Sequence, residues 1–118
     1  MSILANIVVA LIAALHVYIL VLEMFLWEKP TGLRAFRQTR EAAAASRVLA
    51  ANQGLYNGFL AAGLFWGLVA GANASSIQIF FLTCVLVAGL YGAATVGRKI
   101  LFIQAIPAAI GLVLVLLT

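Results

Sequence analysis

Eight side chains in this 118-residue sequence have types and spacings suited to chemistry: His16, Glu23, Asn52, Gln53, Asn57, Tyr91, Arg98 and Gln104. They offer an imidazole, one carboxylate, four amides, a phenol and a guanidinium. That is equipment for hydrogen bonding, charge pairing and ligand binding. His16 and Glu23 stand seven apart, which puts them on one helical face with Leu20 and Trp27. Asn52, Gln53, Tyr56 and Asn57 occupy the first half of an otherwise apolar run, Arg47 to Gly71. Amides inside hydrocarbon are costly unless paired, so such groups face protein or a water-filled cavity.

Catalytic and metal-binding patterns are missing from this inventory. The lone His16 and lone Cys84 are too few for a metal site. No aspartate exists to complete a Ser-His-Asp set, and no phosphate-cradling glycine loop is present. No cofactor can be named from these residues. Each candidate also has a packing role open to it. Asn52, Asn57 and Gln104 serve equally as hydrogen-bonded glue between helices, His16 as a core histidine, and Tyr91 as a packing residue with a bonded tip. Glu23 is harder to assign to packing. A carboxylate in hydrocarbon must be protonated, paired or close to water, with His16, Arg47 or Arg98 as candidate partners.

The elements that must position these groups are membrane helices. The sequence is 66% hydrophobic and 8% charged, with a mean hydropathy of +1.20. A soluble domain of this size needs more polar surface. Four apolar runs reach span length, and the expected helices are roughly 3–27, 47–70, 77–96 and 100–117. The fold class is therefore all-α, an integral membrane four-helix bundle forming a single four-span domain over 1–118. MSILANIVVA lacks a basic leader region and reads as part of a retained first span. Gly54, Gly58, Gly63, Gly67 and Gly71 line the second helix and let neighbours approach closely, so that helix reads as an inner one.

The connections carry further signals. Glu28-Lys29-Pro30-Thr31-Gly32 reads as an exit turn. Thr39 is placed to cap a helix starting at Arg40, and Leu33 and Phe36 suit a loop lying on headgroups. On the third helix one stripe holds Cys84, Ala88, Tyr91 and Thr95; another holds Gln78, Leu82, Val85, Gly89 and Gly92. Pro107 predicts a kink in the fourth.

All seven basic residues flank or lie in the first and third connections; the second connection and both termini have none. The positive-inside rule then makes that side cytoplasmic and both termini extracytoplasmic. The net charge of +4 thus reports topology in a cell inner or plasma membrane and not nucleic-acid binding. Counting inward at about 1.5 Å per residue, Glu23, Asn52 and Gln104 lie at similar depth in the cytoplasmic half, with His16 and Asn57 deeper. This points to a polar pocket opening to the cytoplasm. The small-residue surface exceeds one monomer's needs and predicts a homo-oligomer, dimer or trimer.

The segments HVYILVLEMFLW, AANQGLYNGFLAAGL and YGAATVGRKILFIQAIPA resemble the domain-of-unknown-function 1304 family of small four-span membrane proteins. That resemblance covers nearly the whole chain and implies His16, Glu23, Asn52, Gln53, Asn57, Arg98, Lys99 and Gln104 as motif positions. A second resemblance is to the membrane-associated eicosanoid and glutathione metabolism proteins. It implies trimers that bind glutathione between subunits, with Arg47, Asn52 and Asn57 in the comparable region; the paired arginines and the glutamate beside asparagine are absent here. Three functions follow as expectations. One is a membrane protein binding or moving a small polar or amphipathic molecule. The others are a glutathione-transferase-like enzyme and a structural or regulatory subunit.

Overall fold

The computed structural model describes residues 2–118. The protein is all-α: no strand occurs among the described residues. Helix α1 spans Ile3–Met24, α2 Pro30–Phe36, α3 Arg40–Ala45 and α4 Arg47–Val69. A 3-10 turn at Gly71–Asn73 leads into α5, Ala74–Thr95; a π-helical segment, Leu101–Ala105, continues into α6, Ile106–Leu116. Two stretches are long and apolar enough to cross a membrane: α1, with mean hydropathy 2.5, and Gly71–Thr95, with 2.0. Only 28% and 22% of their apolar windows are buried. Large apolar side chains such as Leu11, Phe80 and Val87 stand exposed along them.

The helices fall into two compact units. The first contains residues 14–59. Here the first helix ends at Met24, three residues before Trp27, where the periodicity predicts its end. The Leu26 amide donates to the Val21 carbonyl at 3.1 Å, which widens the last turn, and the Lys29 amide then closes onto Leu26. Pro30 does not break a helix but opens α2, because its missing N–H lies where a first-turn donor would have no partner. Helix α2 ends at Arg37, held at φ 49°, and the Gln38 amide reaches back to the Leu33 carbonyl at 3.1 Å. Thr39 caps α3 as its position predicts, its hydroxyl oxygen accepting from the Ala42 amide at 3.1 Å.

The second unit takes Leu60–Thr118 with the start of α1 up to Ala13. Of the two α5 stripes, the one with Gln78, Leu82, Val85 and Gly89 is buried; Ala88, Tyr91 and Thr95 are exposed. Leu82 and Val85 join Val9, Ile12, Leu64, Ala108 and Val115 in the core. Gly89 sits where a Cβ would lie 2.7 Å from the Ala105 nitrogen, so the α5 backbone touches the π-helical segment directly. That segment marks the disturbance expected near Pro107, which cannot donate to the carbonyl four residues earlier. Gln78 donates from Nε2 to the Gly67 carbonyl at 2.9 Å and so fastens the C-terminal part of α4.

Candidate functional site

The site is built within the 14–59 unit. Gly54 and Gly58 on α4 face α1: a Cβ on Gly54 would meet Met24 Cγ at 2.5 Å, and one on Gly58 would meet Leu20 Cδ1 at 2.7 Å. A Cβ on Gly54 would also come within 3.2 Å of Glu23 Cβ and 3.3 Å of the Leu20 carbonyl oxygen, so a larger residue there crowds the α1 backbone, whereas at Gly58 only the Leu20 side-chain tip would have to move. This close approach lets a short side chain reach across. Asn57 Nδ2 donates to Glu23 Oε1 at 2.7 Å, and also to the Gln53 carbonyl of its own helix at 3.2 Å. Glu23 is 7% exposed. Its carboxylate is therefore withdrawn from solvent and held by an amide.

Trp27, one turn beyond Glu23, forms the adjoining wall. Its indole Nε1 donates to both the Ala43 carbonyl at 3.1 Å and Ser46 Oγ at 3.2 Å. The Ser46 hydroxyl in turn donates to the Ala42 carbonyl at 2.8 Å, and the Phe36 ring packs on Trp27 with centroids 4.8 Å apart. The ring is fixed at the junction where α3 gives way to α4. Between these groups lies an open groove of about 200 Å³, lined by Glu23, Trp27, Ser46, Leu49, Ala50 and Gln53. Trp27 also borders a second groove of about 440 Å³, where Lys29, Glu28 and Arg47 stand and Arg47 pairs with Glu28 at 3.6 Å.

The sequence candidates divide accordingly. Glu23 and Asn57 are bonded to each other, Gln53 lines the groove, and His16 is fully buried one face-repeat before Glu23. Asn52 is exposed, its amide turned onto the Val48 carbonyl at 2.8 Å. Tyr91, Arg98 and Gln104 belong to the other unit: Tyr91 and Arg98 are exposed and Gln104 is half-buried in the π-helical segment. Four groove residues, Trp27, Ser46, Leu49 and Ala50, are absent from the sequence candidates. The spacing of Glu23 to Trp27, four residues along one helix, was the available signal. Among the described residues no three of His, Cys, Asp or Glu stand together.

The profile of a family of proteins of unknown function, DUF1304, matches residues 10–116. This chain belongs to the DUF1304 family. It is also 33% identical to the uncharacterized protein YpaA of Lactococcus lactis subsp. lactis (strain IL1403) over 106 residues, covering 88% of this chain and 89% of that protein. No solved structure matches it. The Glu23–Asn57 pair and the groove beside it lie wholly inside the family's matched region.

Proposed function

We propose that this DUF1304 protein is a multi-pass membrane protein, a single four-span domain that binds a small amphipathic molecule in the Glu23 groove. The observation that carries the reading is the pairing of opposites there: a carboxylate nearly sealed from solvent beside Trp27, Leu49 and Ala50. A purely structural carboxylate would cost less as an amide, and a purely apolar groove would need no charge. The four spans are α1, α4, Gly71–Thr95 and Leu101–Leu116, which account for the exposed apolar surface. All seven basic residues are exposed in the segments between α1 and the start of α4 and between α5 and the π-helical segment. By the positive-inside rule they support a cytoplasmic position for the groove. Glutathione fits poorly, because it would bring carboxylates to a groove whose one ionisable lining residue is Glu23.

The test is thermal stability in maltoside micelles with a panel of decyl amphipaths bearing cationic, neutral and anionic heads. At least one should raise the unfolding temperature. Leu49→Trp, an exposed change that fills the groove mouth, should abolish that shift. No shift from any head group would sink the reading.

We also propose self-association through α4. Asn52, Gln53 and Tyr56 are exposed on a helix of span length. Carboxamides both donate and accept, so a second copy of the same face can meet the Asn52 oxygen and the groups that its bond to the Val48 carbonyl leaves open, where lipid cannot. Native mass measurement should find a homo-oligomer, dimer or trimer, that Asn52→Leu with Gln53→Leu weakens; a monomer throughout refutes this.

A further inference from the structure

The ligand class follows from counting donors around the groove; this step rests on the amphipath reading and sharpens it. The Asn57 amide has two hydrogens, and both are used, on Glu23 Oε1 and the Gln53 carbonyl. The single hydrogen of the Trp27 indole is shared between Ala43 and Ser46. The Ser46 hydroxyl hydrogen is committed to the Ala42 carbonyl. Of the lining side chains, only the exposed Gln53 amide keeps free donors. A carboxylate has room for about four hydrogen bonds, and Asn57 supplies one.

The lining thus offers a ligand a negatively charged acceptor and few donors, which matches a head that brings donors and positive charge. A metal ion is a poor match, since hard cations take six or more oxygen ligands and Glu23 is the only carboxylate in the lining. An anionic head is a poorer one, because it would meet the like charge of Glu23 and find donors only on the Gln53 amide. A primary ammonium carries three donors and no acceptor. It also gains from an aromatic face, and Trp27 supplies a ring that hydrogen bonds hold still. The larger groove across Trp27 suits it less, because its one carboxylate, Glu28, is already paired with Arg47 and Lys29 stands beside them.

We propose that the Glu23 groove binds a primary alkylammonium, its nitrogen at the Glu23 carboxylate beside the Trp27 ring and its chain along Leu49 and Ala50. The occupant is a long-chain amine or an amine-headed lipid. The two are told apart by adding decylamine and short-chain phosphatidylethanolamine in separate arms.

The chain has two tryptophans, and Trp66 is exposed outside this unit, so Trp66→Phe leaves Trp27 as the sole reporter. In uncharged maltoside micelles, decylamine at neutral pH should change Trp27 emission saturably, decyltrimethylammonium more weakly, and decanol and decanoate not at all. Glu23→Gln should weaken decylamine binding about tenfold, the order expected for one charge-assisted hydrogen bond. Leu49→Lys, at the exposed rim, should weaken it without touching the Glu23–Asn57 pair, and Glu28→Gln should leave it unchanged. Decanol or decanoate binding as tightly as decylamine, or indifference to both Glu23→Gln and Leu49→Lys, overturns the ammonium assignment and leaves groove binding standing. Absence of a saturable change with every compound overturns both.

Discussion

The Asn57–Glu23 contact makes a quantitative claim. Replacing Asn57 with Leu keeps the branching and heavy-atom count of the side chain and suits a helix, but removes the donor that meets Glu23 Oε1 at 2.7 Å. A hydrogen bond to a charged group contributes about 1.5–3 kcal/mol in proteins generally. Between membrane helices measured values average only about 0.6 and reach about 1.7 kcal/mol, because the unfolded chain also finds partners. The bond here is short and Glu23 is only 7% exposed, which favours the upper part of the membrane range. Asn57→Leu should therefore cost about 2 kcal/mol: roughly 1.5 for the bond, the rest for a buried carboxylate left without its donor. Glu23→Gln keeps an acceptor for Asn57 and should cost less than about 1 kcal/mol. In the double variant the unpaired group is a neutral amide, so the two costs should not add. The expected coupling is about 1 kcal/mol, above the few tenths that independent sites show. Reversible unfolding of the four proteins in mixed micelles measures it. Additive costs would refute the claim that this bond is formed in the folded protein.

Other outcomes follow from the same unit. Gly32 lies so close to the Leu26 carbonyl oxygen that a Cβ would collide with backbone, which cannot rotate away. Gly32→Ala should lose about 2 kcal/mol or more in the same unfolding assay, whereas a neutral result would place α2 elsewhere. Arg37 adopts a left-handed conformation that glycine occupies without strain, so Arg37→Gly should stabilise by about 0.5–1 kcal/mol. In a Cys84→Ser background, cysteines at Thr39 and Ala74 should label from opposite membrane faces, Ala74 from outside. Labelling of both from one side would contradict a span between them, and Ala74 labelling from inside with Thr39 from outside would reverse the orientation.

Much of this fold was legible because apolar runs and their interruptions are one-dimensional signals. The long helices α1, α4 and α5, the Thr39 cap and the buried α5 stripe through Leu82 and Val85 follow from spacing, whereas the fourth apolar run divides into the π-helical segment and the shorter α6. Helix α2 was not legible, because Pro30 followed by Gly32 reads as a turn. Only the close packing of Gly32 on the Leu26 carbonyl reveals a helix folded against the turn that follows α1. Glu23 stood out by its cost in hydrocarbon, but its partner did not. Asn52 and Asn57 are five residues apart, about 140° around a helix, so both cannot face the same carboxylate. Apolar residues surround α4 on every side and leave its rotation undetermined by pattern. Gly54 and Gly58 settle it by admitting α1, and they turn Asn57 inward and Asn52 outward.

The central claim is that an amphipathic ligand occupies the groove between Glu23 and Trp27, and its location can be measured directly. A decylamine analogue with a photoreactive diazirine in its chain is crosslinked to the protein in maltoside micelles, and the modified peptides are read by mass spectrometry. The account predicts adducts confined to residues 23–27 and 46–53, protected by excess unlabelled decylamine and reduced in Glu23→Gln. Adducts spread along the exposed α5 stripe around Tyr91, indifferent to competitor and to Glu23→Gln, would mean that the amphipath only coats the apolar surface, and the claim would be wrong.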